Sequence, residues 1–283
     1  MQLGKPREQV SVVRRFERMA PQRRSIDQAQ DVAGKRELDV GTNREAGVMA
    51  AALEPTSARE LWKVLTDNAT ALVDDARILL EAGSFGRARS LTVLAQEELG
   101  KALWLYDSFQ VAWSSGDVTP LEVRRLEKHG RDHVEKYMAA VEYGDDLAEF
   151  WGDNSRTEGI GETQAEWIEY FEKRRKEAES AARRANIARQ RGFYVDTDEQ
   201  TGALLSPSTI DAGSIAADLQ TAAKVIEMEL IRDHTRMKHD ALTPYDGTFD
   251  QQRRLLPISH PEGWAAASDA LKRDGHGEAN GRR

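Results

Sequence analysis

Helical periodicity with very few interruptions is the feature that most constrains how this chain can fold. Apolar side chains recur at helical spacing from about Thr56 to Trp113, and Gly83 marks the break in that stretch. Only residues 192–196 are typical of an extended segment, because no other region alternates Val, Ile and Thr with polar residues. The sequence therefore predicts an all-α fold, an antiparallel bundle of about three to five helices.

Capping signals and apolar stripes predict where the helices begin and end. Ser57 and Glu60 form a capping box at the start of the first helix, which ends at Gly83. A second capping box, with Pro120 at the first helical position, begins the third helix. The predicted helices cover about 56–82, 84–113, 119–143, 163–191 and 209–239, with a loop over 144–162.

Composition separates this helical region from both ends of the chain. The first 46 residues contain few large apolar side chains and an excess of basic ones, so they bury too little surface to offset their ordering entropy. The sequence beyond Pro244 is rich in proline, glycine and charge. We predict a disordered extension over 1–48, a helical domain over 49–240 and a partly disordered C-terminal tail over 241–283.

The composition also excludes several classes of protein. The chain of 283 residues contains no cysteine, which excludes disulfide scaffolds, zinc ribbons and cysteine nucleophiles. It has no apolar run approaching the ~20 residues of a membrane-spanning helix, and its charged N-terminus lacks the apolar core of a signal peptide. We therefore expect a cytoplasmic protein without a membrane partner. Walker-A, GxGxxG and GxSxG patterns are absent, which disfavours nucleotide-binding and hydrolase folds.

The second predicted helix carries a compact charged motif around a glycine. Glu97 and Lys101 are four residues apart, in the favourable orientation for an ion pair, and Glu98 lies beside them. Gly100 costs about 1 kcal/mol relative to alanine inside a helix, so we expect another helix to approach closely there. A surface ion pair beside a packing glycine would explain the same residues without any site.

The third predicted helix carries the residues best suited to catalysis. Four side chains fall within about 80° of one another on its surface: Arg125, His129, His133 and Lys136. Such a stripe repels itself unless acids face it, and Glu97 and Glu98 on the preceding helix are natural partners. Histidine exchanges protons near neutral pH and arginine binds phosphate, which together suit phosphodiester cleavage without metal. The alternative is a solvated charged face with two incidental histidines.

A metal site is a weaker interpretation of the same histidines. His129 and His133 are four residues apart and could share one ion with Glu97 or Glu98. However, the chain lacks the Glu-x-x-His motif of di-iron bundles, and the flanking Arg and Lys disfavour a cation. We therefore expect neither a metal nor another cofactor.

The fourth predicted helix contains the densest basic stretch of the bundle. Its core is Lys173, Arg174, Arg175 and Lys176, and basic residues continue through Arg183 and Arg184 to Arg189 and Arg191. Glutamates interleave with these residues, so a salt-bridged exposed helix would explain them. The functional interpretation is a surface that contacts the RNA backbone.

Three blocks of sequence resemble the AbiV family of bacterial abortive-infection proteins, within the HEPN superfamily. They are ARSLTVLAQEELGKALWLYDSF in the second helix, RDHVEKY in the third and RGFYVD after the fourth, and they span about 61–230. The resemblance implies a HEPN-like bundle that acts in phage defence as a homodimeric, metal-independent endoribonuclease toxin. RNA would be its substrate, and a phage-encoded activator protein would be a further partner.

The resemblance also implies a set of catalytic residues. The HEPN signature is an arginine followed a few residues later by a histidine; Arg124 and His129 fit it, whereas His133 lies within the RDHVEKY block. One of the two histidines would act as base or acid, while an arginine stabilises the phosphorane. The implied set is His133, His129, Arg124, Arg125, Glu97, Glu98, Lys101 and Lys136. The competing hypothesis is a non-catalytic protein that senses a phage protein or blocks translation by binding.

Overall fold

A computed structural model of the chain describes residues 52–150, 163–198, 200–239 and 247–263. The predicted extension over 1–48 and the end of the predicted C-terminal tail lie outside these residues. Contacts divide the chain into two units, one of residues 50–145 with 159–283 and one of residues 1–49 with 146–158. Apart from residues 146–150, the features described below lie in the first of these units.

Helices make up most of the described residues, so the prediction of an all-α fold is confirmed. The helices are α1 (Pro55–Glu81), α2 (Phe85–Ser115), α3 (Arg124–His129), α4 (His133–Phe150), α5 (Gln164–Phe193), α6 (Ile215–His239) and α7 (Phe249–Ser259). Two short strands, β1 (Asp196–Thr197) and β2 (Leu204–Leu205), pair antiparallel, and a 3₁₀ turn covers Pro207–Thr209. None of the described helices combines the length and hydropathy required to span a bilayer.

An antiparallel hairpin of α1 and α2 forms the centre of the bundle. Gly83 joins the two helices with a φ of 73°, in the left-handed region that the predicted helix end requires. Trp62 near the start of α1 packs on Tyr106 and Trp113 near the end of α2, with ring centroids 5.9 and 6.3 Å away. The aromatic rings of both helices thus bury against each other, and this pairing fixes their antiparallel order.

Two glycines allow α4 and α5 to contact α2 at the backbone. A Cβ atom on Gly100 would overlap the carbonyl oxygen of Lys136 in α4, so the predicted close approach at Gly100 is confirmed. A Cβ atom on Gly192 in α5 would overlap the carbonyl oxygen of Gly86. Ser90 strengthens this second contact by donating from Oγ to the carbonyl oxygen of Arg189, at 2.8 Å. The stretch of α2 between these contacts is therefore held against two helices at once.

The prediction of one continuous third helix is wrong. Residues 119–123 are not helical; Leu121 instead pairs with Leu53 in an isolated antiparallel bridge. The helix α3 ends at His129, and α4 begins at His133 because Asp132 Oδ1 accepts the backbone N–H of Val134 at 2.9 Å. Local capping by an aspartate therefore outweighs continuation of the helix. The new helix α4 also runs to Phe150, through the first seven residues of the predicted loop over 144–162.

Other helix ends differ from the predictions by a few residues. The start of α1 has Glu54 as its N-cap and Pro55 as its first residue, without a side-chain capping bond, so the predicted capping box at Ser57 is wrong. The box occurs instead at the start of α5, where Thr163 and Glu166 cap each other. The predicted fifth helix begins later than expected, because residues 207–209 form only a 3₁₀ turn.

The described part of the C-terminal region contains a helix that joins the bundle. In α7, Leu255 is fully buried, and Arg254 Nε lies 2.8 Å from Asp74 Oδ2 of α1. Phe249 packs edge-on against His234 of α6, with ring centroids 5.6 Å apart. Helical structure thus continues past residue 240, the predicted end of the domain.

A candidate carboxylate–histidine site

One buried carboxylate in α2 collects three basic side chains. Glu97 is 1% exposed. Its Oε2 atom lies 2.6 Å from His133 Nδ1 and 3.2 Å from Lys136 Nζ, while its Oε1 atom lies 3.5 Å from Arg189 Nε. Because an isolated buried carboxylate would be very costly, these ion pairs are what allow Glu97 to occupy the interior as an anion. We call these four residues the Glu97 site.

Backbone packing brings the four side chains together. Glu97 lies one turn before Gly100, the point where α4 touches α2. His133 and Lys136 are three residues apart at the start of α4, so both face the same side of that helix. Arg189 comes from the last turns of α5, whose backbone Ser90 anchors to α2. Three helices therefore determine the geometry of the site.

The contact with Glu97 defines the chemical state of the His133 ring. An ionised carboxylate only accepts hydrogen bonds, so Nδ1 carries the proton that points to Glu97 Oε2. The side chain of His133 is 41% exposed, and no described residue bonds to its Nε2 atom. A carboxylate that orients an imidazole is an arrangement suited to general acid or base catalysis.

The family comparison covers all four residues of the site. The HEPN_AbiV family, described as AbiV, matches residues 57–227, more than half of the chain. The chain belongs to the AbiV family, within the HEPN superfamily. No curated protein and no solved structure matches the chain.

The structure of this AbiV-family chain divides the predicted carboxylates into two different pairs. Glu97 faces His133 and Lys136, as the sequence predicted for the acids opposite the third helix. Glu98 instead lies 2.6 Å from Lys101 Nζ, so the predicted ion pair between Glu97 and Lys101 is wrong. The different partners follow from the rotation of α2: Glu97 points into the three-helix contact, whereas Glu98 and Lys101 share the adjacent, partly buried side of the helix.

The predicted stripe on the third helix is interrupted in this AbiV-family chain. Arg124, Arg125 and His129 belong to α3, and the break before His133 separates them from Lys136. Among the described residues, Glu97 has no partner on α3. The geometry therefore favours His133 over His129 as the candidate catalytic histidine. Arg124 and Arg125 are exposed and precede His133 closely in the sequence.

Arginines of α5 occupy positions that sequence analysis missed. Arg174 is buried, donates from Nη2 to the carbonyl oxygen of Glu142 at 2.5 Å and lies 3.6 Å from Asp145, so it packs α5 rather than facing solvent. Arg189 joins the Glu97 site. Both arginines share the helix face of the buried Ala178 and Ala182. That register was present in the sequence and would have separated them from the exposed Lys173, Arg175 and Lys176, whose contact with RNA stays a prediction.

A second buried charge cluster lies between α1, α2 and α6, outside the Glu97 site. Glu229 is fully buried, with Trp62 Nε1 and Arg232 Nη1 each 3.4 Å from its carboxylate. Burial raises the pKa of Glu229 to about 7, although Arg232 opposes the shift. Nearby, Asp233 accepts two hydrogen bonds from Arg59, at 2.9 and 2.7 Å. This cluster joins three helices in the core.

Proposed function

We propose that this AbiV-family protein is an endoribonuclease of abortive infection, with His133 as its proton-transfer residue. The observation that carries the proposal is the pairing of His133 Nδ1 with the buried Glu97, which leaves Nε2 unbonded among the described residues on a side chain that is 41% exposed. Family membership supports a role in phage defence. The location of the site between three helices gives the histidine a fixed orientation, which proton transfer requires.

The proposed reaction uses the ribose 2′-hydroxyl as its nucleophile. The 2′-oxygen forms a bond to phosphorus while the bond from phosphorus to the 5′-oxygen breaks, which leaves a 2′,3′-cyclic phosphate and a 5′-hydroxyl. His133 Nε2 accepts the proton of the 2′-hydroxyl, or in protonated form supplies the proton of the leaving oxygen. Lys136 carries positive charge beside it and offsets the negative charge of the phosphorane. DNA lacks the 2′-hydroxyl and would not be cleaved.

Exposed basic residues on two helices would hold the RNA backbone. Arg124, Arg125 and Lys128 are exposed on α3, which directly precedes His133, and Lys173 and Lys176 are exposed on α5. Neutralised phosphates release counterions, so binding through such residues weakens as salt rises. A homodimer would supply a second His133, and with it the second proton transfer that one histidine cannot perform in the same step.

Cleavage of RNA in EDTA by the parent protein, the His133→Ala variant and the His129→Ala variant tests this function. We expect the parent and His129→Ala to cleave RNA to 2′,3′-cyclic phosphate ends, and His133→Ala to be inactive while remaining folded. Full activity of His133→Ala would overturn the assignment of His133. Loss of parent activity in EDTA would instead support a metal-dependent enzyme.

Absence of cleavage under every condition, including lysate from phage-infected cells, would contradict the proposed activity. That result would favour a non-catalytic protein that senses a phage protein or blocks translation by binding. The infected-cell lysate is necessary because a phage-encoded activator, proposed here as a partner, would be missing from the purified protein.

A further inference from the structure

Two buried atoms of the Glu97 site face each other without forming a hydrogen bond. Glu97 Oε1 and Arg189 Nε are both inaccessible to solvent, and neither has a hydrogen-bond partner among the described residues. They are 3.5 Å apart, close enough for an ion pair but beyond the usual N–H···O distance. Buried polar atoms nearly always form hydrogen bonds. A buried donor and a buried acceptor that both lack one, at a candidate site, therefore indicate that one of them binds another group.

The charges of the site do not balance. Glu97 carries one negative charge, whereas Lys136 and Arg189 carry two positive charges before any protonation of His133. The side chains of Lys136 and Arg189 are only 7% and 14% exposed, so water screens them poorly. The neighbouring ion pair on α2 is neutral in itself and does not correct the excess. A buried excess of positive charge is stabilised by an anion.

The N–H groups around this excess positive charge that have no bond to a described residue are numerous enough to bind a phosphate group. Arg189 donates from Nη2 to Asn186 Oδ1 at 2.9 Å, and none of the described residues bonds to its Nη1 atom. Lys136 carries three N–H donors and uses Nζ for Glu97 alone. His133 Nε2 adds a further donor when the ring is protonated. Arginine is the side chain best suited to the several oxygens of a phosphate, because its planar fork offers parallel N–H donors.

We propose that Arg189 and Lys136 bind a phosphate group against His133, and that Arg189 turns its Nε–H from Glu97 to the phosphate when it does so. The identity of that phosphate as the scissile group of RNA rests on the proposed ribonuclease function; the anion site itself does not. Arg189 thereby takes the phosphate-binding role that the sequence had suggested for Arg124 or Arg125. Its backbone is already anchored by Ser90 and by the contact at Gly192, so little ordering accompanies binding.

Titration with inorganic phosphate, followed by NMR of the His133 ring nitrogens, tests the anion site without RNA. Chloride at equal ionic strength controls for screening. We expect phosphate to shift the His133 ring signals of the parent, and Arg189→Gln to weaken phosphate binding about tenfold, as expected for one lost charge-assisted hydrogen bond. Arg189→Lys keeps the charge without the fork and should be intermediate.

The matched control is Arg183→Gln on the same helix. Arg183 is 66% exposed and pairs with Glu179 one turn away, so its loss removes a positive charge of α5 without touching the Glu97 site. This variant should bind phosphate as the parent does. Equal phosphate affinity in Arg189→Gln and the parent, or no phosphate-dependent shift in the parent, would overturn the proposal and leave Arg189 as a packing ion pair. If Arg189→Gln fails to fold, the comparison of Arg189→Lys with the parent decides.

Parallel RNA assays separate this proposal from the ribonuclease function. If phosphate binding depends on Arg189 but the protein never cleaves RNA, the result supports the anion site and contradicts the proposed ribonuclease activity. If Arg189→Gln cleaves RNA as fast as the parent, the result supports the ribonuclease activity and contradicts the assignment of Arg189 to the scissile phosphate.

Discussion

We expect Gly100→Ala to destabilise the protein although alanine is the better helix former. The substitution gains about 1 kcal/mol of helix propensity. The added methyl group, however, would overlap the backbone carbonyl of Lys136, which moves only if α4 itself moves. Overpacking costs about 1–3 kcal/mol, and a displaced α4 also weakens the charge-assisted bonds of His133 and Lys136 to Glu97, which contribute about 1.5–3 kcal/mol each. The net loss should be about 2 kcal/mol in the free energy of unfolding.

Urea denaturation followed by circular dichroism measures this loss, and the NMR signal of the His133 Nδ1 proton reports whether the contact with Glu97 survives. Gly144→Ala is the matched control, because Gly144 also lies inside a helix. Its added Cβ would meet only a side-chain methyl group of Val225, at 3.3 Å, which can give way. That variant should stay within about 1 kcal/mol of the parent. If Gly100→Ala were as stable as Gly144→Ala, with the His133 signal unchanged, the account of α2 and α4 would be refuted.

Three further predictions concern the rest of the fold. The pKa of Glu229 is raised from its ordinary value of 4.5 to about 7 in the folded protein, so the folded state binds this proton more tightly than the unfolded state. The stabilisation that protonated Glu229 contributes is therefore complete below pH 4.5 and is lost as the pH rises through 7. Unfolding free energies should fall by about 2 kcal/mol between pH 5 and 8, a slope that Glu229→Gln removes; an unchanged slope would contradict the burial argument. Arg59→Ala breaks a buried ion pair and should lower the free energy of unfolding, measured by thermal denaturation, by about 3 kcal/mol. Arg77→Ala breaks an exposed pair and should lower it by less than about 0.5 kcal/mol. Leu255→Ala should lower the free energy of unfolding by about 3 kcal/mol if α7 belongs to the bundle, whereas Leu204→Ala, at an exposed position, should change it little. Equal midpoints of thermal unfolding for the two variants would show that α7 is dispensable.

Much of the fold followed from periodicity, because long helices repeat the same signal over many turns. The helical class was predictable in this way. The close approach at Gly100 followed from the cost of a glycine inside a helix, and the pairing of Glu97 with the RDHVEKY segment followed from the repulsion within a stripe of cations. Helix ends were less predictable because they depend on single competing bonds. Asp132 shows this: one carboxylate that caps α4 splits a helix that the apolar pattern alone would have continued.

The partner of a charged side chain was predictable only when its direction was fixed by packing. Sequence spacing allowed Lys101 to pair with either carboxylate, and the rotation of α2 against α4 selected Glu98. Arg189 illustrates the complementary case. Its basic neighbours suggested a solvated surface, and only the register of the buried alanines, combined with the position of α5 on α2, reveals that it points inward. The register is a local pattern that the sequence holds, whereas the contact of Arg189 with Glu97 depends on how α5 packs on α2.

The order in which the chain is synthesised gives the Glu97 site a consequence for the cell. Glu97 meets its first partner 36 residues further along the chain, and its last only when Arg189 has emerged from the ribosome. Domains fold as units during synthesis, so a nascent chain that lacks α5 has an incomplete site. If the site cleaves RNA, each copy of the chain becomes active only after most of its message has been translated.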